Sequence, residues 1–179
     1  MSQLVTETWL RRCTNSRLAA NAIGSMRNAI ERVIADWMPL LSRAATCRCS
    51  AACLQEQLHR QVPAAVRAGT QLALADAAVS RTKMERRLEP IRLSDGCLQV
   101  TCCVLDALAK FIVVLANRRR LRQQRSVLES SDLTAASDIL QVASQSTVTS
   151  WLSGAEPASH TMLESTPVAM DVLADDEDV

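Results

Sequence analysis

CLQVTCCVLDALAKFIVVLA, residues 97–116, is the stretch on which the fold turns. Sixteen of its 20 side chains are apolar, and Arg118, Arg119 and Arg120 follow almost at once. A helix of this length and composition could cross a bilayer. Asp106 and Lys110 argue against that, because a charge near the middle of a span costs ~3 kcal/mol on insertion scales. Their four-residue spacing instead lets them pair on one helix surface. The stretch is therefore expected as a buried helix of a bundle spanning 97–125, with a transmembrane span as the alternative.

Composition outside this segment points the same way. Four aromatic residues (Trp9, Trp37, Trp151 and Phe111) and no Tyr leave a β-sheet without its usual fillers. Ala, Leu, Arg, Gln and Glu, all good helix formers, take their place. The expectation is an all-α protein. Leu18, Ala22, Met26, Ile30, Val33, Ile34 and Trp37 recur every three to four residues and mark the clearest amphipathic helix, which Pro39 should end or bend. A second helical stretch carries Leu41, Ala45, Leu54, Leu58, Val62 and Val66, with a kink at Pro63. A third carries Leu72, Ala75, Val79, Met84, Leu88 and Ile91. Gly69 between them reads as the turn of an extended antiparallel helical hairpin. Ser94-Asp95-Gly96 reads as a further turn, and Asp132 as the cap of a helix over 132–145. Residues 1–17 form an N-terminal arm in which Trp9 and Leu10 either pack or dip into a membrane interface. Residues 18–145 are the helical domain, and 146–179 a mostly disordered acidic tail.

Charge divides the chain unevenly. All 20 basic residues lie at or before Arg125, giving residues 1–125 a net charge of +11 and residues 126–179 a net charge of −10. The polarity suggests a basic body for an anionic surface and an acidic tail competing for that body. The basic candidates are Arg60, Arg67, Arg81, Lys83, Arg86, Arg87 and Arg92. The tail candidates for autoinhibition or partner binding are Leu163, Asp171, Leu173, Asp175, Asp176, Glu177 and Asp178.

Seven cysteines, an odd number with no secretory signal before them, suggest free thiols in a reducing cytosol acting as small buried hydrophobes. Cys47, Cys49, Cys53 and His59 have the spacing of no closed zinc motif, so neither a metal nor a cofactor is expected. His59 and His160 are the only histidines, and no Gly-rich phosphate loop or nucleophile motif accompanies them, so the reading is non-enzymatic. No aromatic residues interleave the basic runs, and no nucleic acid is expected as partner.

The layout resembles the ESCRT-III family, the charged multivesicular body proteins. The resemblance is carried by residues 54–93, LQEQLHRQVPAAVRAGTQLALADAAVSRTKMERRLEPIRL. Ala64, Ala65 and Arg67 precede Gly69; Ala73, Leu74, Ala77 and Ala78 follow; Arg81, Lys83, Glu85, Arg86, Arg87 and Leu88 form the basic run. Residues 132–140, DLTAASDIL, resemble the family's later helix, which packs back on the hairpin. The resemblance implies a cytoplasmic protein, peripheral on endosomal or other membranes, that binds anionic membrane and polymerises with other helical family members. Endosomal sorting and vesicle-mediated protein transport would be its setting, and an AAA ATPase would engage its tail. The alternative expectation is a helical scaffold or coiled-coil subunit of a soluble multiprotein complex.

Overall fold

The computed structural model describes residues 4–14, 16–72 and 77–142. Among the described residues the fold is all-α apart from one two-residue strand pair. The elements are α1 (Glu7–Thr14), β1 (Arg17–Leu18), α2 (Ala22–Thr46), α3 (Ala51–Arg60), α4 (Ala64–Gly69) running into a 3₁₀ turn (Thr70–Leu72), α5 (Arg81–Leu88), α6 (Asp95–Arg122), β2 (Val127–Leu128) and α7 (Ser130–Val142).

The stretch 97–116 lies inside α6, and α6 is the axis of the molecule. Fourteen of its residues are buried, and α1, α3, α4, α5 and α7 all pack on it. Two-thirds of its most apolar 18-residue window is covered by the protein's own helices, so the surface that lipid would have to meet is already occupied. Each fully buried Leu or Ile here, such as Leu105, Ile112 and Leu115, contributes about 2 kcal/mol by leaving water. Ser94 caps α6 by accepting from Cys97 N at 3.4 Å. The expected turn at 94–96 is thus the helix's own N-terminus. A Cβ on Gly96 would stand 3.2 Å from Cα-attached Cβ of Ala51, so the missing side chain is what lets α3 and α6 start side by side.

The amphipathic reading of α2 agrees with its buried face. Ala22, Met26, Ile30, Ile34 and Trp37 face the core, and Leu41 and Ala44 continue the stripe. Pro39 does not end the helix. Both Pro39 and Ala35, whose carbonyl loses its helical donor there, are exposed, so the orphaned oxygen lies on the solvent side of the helix. The real break comes at Arg48, whose φ of 49° is left-handed, with Cys49 N donating to Ala44 O at 3.0 Å. α6 ends the same way, with Gln124 at φ 52° and Arg125 N donating to Arg120 O at 3.1 Å. Both are six-to-one C-terminal caps with a residue other than glycine in the left-handed position.

The hairpin expected across Gly69 is replaced by shorter pieces. The second helical stretch breaks at 47–50 and again at Gln61–Pro63, where Pro63 opens α4 instead of kinking a continuous helix. Gly69 closes α4 as an ordinary helical residue, and α5 spans only eight residues before the cis Glu89–Pro90 peptide. Leu54, Leu58, Val62, Val66, Val79, Met84 and Leu88 are buried as the phase requires, Ala45 and Ile91 are only half-buried, and the side chains of Leu72 and Ala75 lie outside the described residues. Their shared partner is α6, and burying short amphipathic faces against one long apolar helix leaves none for a separate extended hairpin.

The helical hairpin of this protein is instead α6 with α7. Asp132 lies against Arg119 and Arg125 while Leu140 lies near Leu108 and Ile112, which makes the pair antiparallel. β1 and β2 pair in parallel, Arg17 with Val127 and Leu18 with Leu128, and set α2 alongside α7. Ser25 Oγ meets Ser130 Oγ at 2.5 Å, and Arg32 donates to Ser137 Oγ at 3.0 Å, keeping that register. At the start of the chain, Leu4, Val5, Trp9 and Leu10 are buried in the same core, so this part of the 1–17 arm is packed.

Candidate functional site

Asp106 and Lys110, the two charges inside the apolar helix, are placed by its neighbours. Asp106 is fully buried; its Oδ1 accepts from Ala78 N, and its Oδ2 lies 3.0 Å from the half-buried Lys110 Nζ. Burial raises the Asp106 pKa, opposed by Lys110 and by the backbone bonds from Ala78 and Val79. The pair therefore anchors the 77–80 loop to α6, a structural use of charge.

Arg119 and Arg120 of the Arg118–Arg120 cluster are similarly committed. Arg119 Nε approaches Asp132 Oδ1 at 3.5 Å, and Arg120 donates to Asn117 Oδ1 at 2.9 Å and to Arg125 O at 2.8 Å. Arg125 joins Glu129 at 2.6 Å and Asp132 at 2.5 Å. Asp132 itself is fully buried and accepts from Glu129 N at 3.1 Å. It stands in the third helical position and reaches back to the residue before the helix, the reciprocal half of a capping box, where the sequence suggested the cap itself. These arginines build the α6–α7 turn.

Three of the seven basic candidates already have carboxylate partners. Arg60 meets Glu56 at 2.5 Å, Arg81 meets Asp95 at 2.7 Å and Arg87 meets Glu31 at 2.7 Å. Arg67 Nε donates to Val62 O at 3.3 Å. His59, beside it, bonds Thr70 Oγ1 at 3.3 Å, and burial followed by the Arg67 charge lowers its pKa. Lys83 is half-buried, and Arg86 and Arg92 are exposed. The last two line an open cleft of about 860 Å³ with Glu85, Glu89 and the cis Pro90, so acidic and basic groups alternate there. Arg60 and Arg67 stand on α3 and α4, and the other five lie on α5 and the loop after it. The tail candidates Leu163, Asp171, Leu173, Asp175, Asp176, Glu177 and Asp178 lie outside the described residues.

The cysteines divide by exposure. Cys97 and Cys102 are buried, as small hydrophobes should be, but Cys13, Cys47 and Cys53 are exposed and Cys49 and Cys103 half-exposed. Turns and helix surfaces, not the core, hold most of these thiols. Among the described residues no group of three or more His, Cys, Asp or Glu side chains is arranged to hold a metal ion. His59 sits at the far end of α3 from Cys47, Cys49 and Cys53.

One surface feature escaped the sequence reading. Val114 and Leu121 are 44% and 56% exposed, and with Phe111 and Arg118 they share one outward face of the C-terminal half of α6. Spacings of three, four and three residues put these four positions in line. In a helix apolar on nearly every side, periodicity could not separate this face from the buried ones. A comparison of the chain with protein-family models gives no match, and neither does a comparison with curated proteins.

Proposed function

We propose that this chain is a non-enzymatic helical scaffold subunit, joining a multiprotein complex by pairing a partner helix with the outward face of α6. The observation that carries this reading is the exposure of Val114 and Leu121, seven residues apart on the helix that supplies much of the core. Apolar positions at coiled-coil spacing suit the apolar face of an amphipathic partner helix. Packed polar groups support the same reading, since Asp106, Lys110, Asp132 and Arg125 serve the fold's own joints. The test compares affinity-tagged full-length protein with a Val114→Glu/Leu121→Glu variant of matched melting temperature. A stoichiometric partner should survive high salt with the native chain and be recovered about tenfold less with the variant, equivalent to ~1.4 kcal/mol. Equal recovery from both would refute the face.

A second reading, the ESCRT-III-like membrane-remodelling adaptor, is favoured by the exposure of Arg86 and Arg92. Each basic group near an anionic leaflet contributes ~1 kcal/mol, in a salt-sensitive way. Arg60, Arg81 and Arg87 contribute less because their carboxylate partners accompany them. Co-sedimentation with anionic vesicles tests this reading, and the tail truncation must follow Val142. A cut at the charge boundary near Arg125 would remove α7 with the buried Leu133 and Ala136. Stronger vesicle binding and filament formation after that truncation would support the adaptor and its autoinhibition; unchanged sedimentation would reject both.

A further inference from the structure

Exposed thiols border an apolar groove where α2 hands over to α3. Leu40, Ala44 and Cys47, spaced by four and three residues, share one side of the end of α2, and with Cys53 and Leu54 from the first turn of α3 they line an open cavity of about 270 Å³. The floor is apolar, since Ala44 and Leu54 are buried and Leu40 is half-buried. The rim carries Cys47 and Cys53, both exposed. Arg43, on the rim, and Arg48, next to Cys47, are exposed, and their guanidinium groups have no partner among the described residues. Cys47 keeps a fixed place at the open end of this stripe. It is the C-cap of α2, and Cys49 N behind it donates to Ala44 O at 3.0 Å across the left-handed Arg48.

We infer that Cys47 is an S-acylation site that takes a long-chain fatty acyl group from its coenzyme A thioester. An acyl chain on Cys47 lies back along Ala44 and Leu40, over seven residues of α2 or roughly 10 Å, a length that an acetyl group does not reach. Methylenes placed there leave water, so the groove favours a long chain over a short one. Arg43 and Arg48 supply positive charge for the phosphates of the coenzyme A donor. In the transfer the Cys47 sulfur, as thiolate, attacks the thioester carbonyl carbon. A carbon–sulfur bond to Cys47 forms, the carbon–sulfur bond to coenzyme A breaks, and the coenzyme thiolate leaves and takes up the proton that Cys47 gave up. No group is oxidised or reduced.

The other thiols lack one part of this arrangement. Cys53 borders the groove, but on α3 the next position along it is the amide of Gln57, so no apolar stripe continues from that thiol. Cys49 lines the groove half-buried in the link, and Cys97 and Cys102 are buried. Cys13 is exposed on α1, outside the groove. The groove shares no residue with the outward face of α6, so acylation and partner binding are independent.

The experiment incubates full-length reduced protein with palmitoyl-coenzyme A below its micelle concentration and, in parallel, with acetyl-coenzyme A. Adducts are placed by peptide mass mapping before and after hydroxylamine, which cleaves thioesters. Palmitoyl transfer to Cys47 should run about tenfold faster than to Cys13, the ratio that burying about two methylenes gives. Acetyl transfer should show no such preference. Leu40→Asn should slow palmitoyl transfer to Cys47 by about the same factor and leave acetyl transfer unchanged. Equal palmitoyl rates at Cys47 and Cys13, a main adduct on Cys49 or Cys53, or the same preference for Cys47 with acetyl-coenzyme A would overturn the inference. The native chain alone decides between these outcomes, with Cys13 as its internal reference, so a poorly folding variant does not remove the test.

Discussion

Asp106 separates two explanations for a charge in an apolar helix, and replacing it in two ways tells them apart. In Asp106→Ala the backbone donor of Ala78 loses its acceptor inside the fold. A buried donor left unpaired costs about 1–3 kcal/mol. With a urea dependence of about 1.5 kcal/mol per M, the unfolding midpoint falls by about 1–2 M. Asp106→Asn keeps an oxygen for Ala78 and removes only the charge. Lys110, 29% exposed, turns its ammonium toward water when the partner is gone. The Asn variant should therefore lie within about 1 kcal/mol of the native protein at pH 7. pH adds a second, signed readout. Because burial raises the folded-state pKa of Asp106 above the ordinary carboxylate value, the folded form binds the proton more tightly than the unfolded one. Its contribution is thus fully present below the unfolded pKa and is lost as pH rises through the folded one. Asp106→Asn should gain on the native protein as pH increases from acid toward neutrality. Equal losses in both variants, or a native advantage that grows with pH, would show that the Lys110 ion pair, not the loop anchor, is what Asp106 supplies.

The α6–α7 turn gives a coupling test: Asp132→Asn and Arg125→Ala should each lower the urea midpoint, and the double variant should lose less than the sum, because both remove the 2.5 Å contact. Additive losses would mean the contact is idle. Gln124→Gly should raise stability by about 1 kcal/mol, since glycine enters the left-handed conformation without a Cβ clash; a loss on thermal melting would contradict the capping assignment. Trp9→Ala should cost about 3–5 kcal/mol by equilibrium unfolding, as a core residue does, whereas a free arm would show no change. The half-buried Arg87–Glu31 pair should contribute no more than about 1 kcal/mol in a double-mutant cycle.

Helical phase was legible because it is local. The inward positions of α2, the burial of Leu54, Leu58, Met84 and Leu88, and the apolar centre of α6 all follow from three-to-four-residue spacing. Helix ends were much less so. Gly69 and Pro39 carry strong breaking signals and break little, while Arg48 and Gln124 carry none and close the two longest helices. A left-handed residue other than glycine leaves no mark in composition, and a proline on the solvent side of a helix leaves its orphaned carbonyl on that side.

Charge showed the opposite weakness. The boundary at Arg125 is a true feature of the sequence, yet it falls inside the α6–α7 turn, and Glu129, Asp132 and Asp138 beyond it pair with Arg125, Arg119 and Arg32. A charge count cannot distinguish arginines that face solvent from those spent on a joint, because pairing depends on residues brought together by the fold. The sequence by itself determined an all-α chain and the inward face of its amphipathic helices, though not that of α6, since periodicity and propensity act within a few residues. Only the tertiary structure decided that α6 is enclosed by its own neighbours, which arginines are already partnered, and that Cys47 and Cys53 border an apolar groove. Those outcomes rest on contacts between segments up to about a hundred residues apart, such as Ser25 with Ser130, which no local pattern encodes.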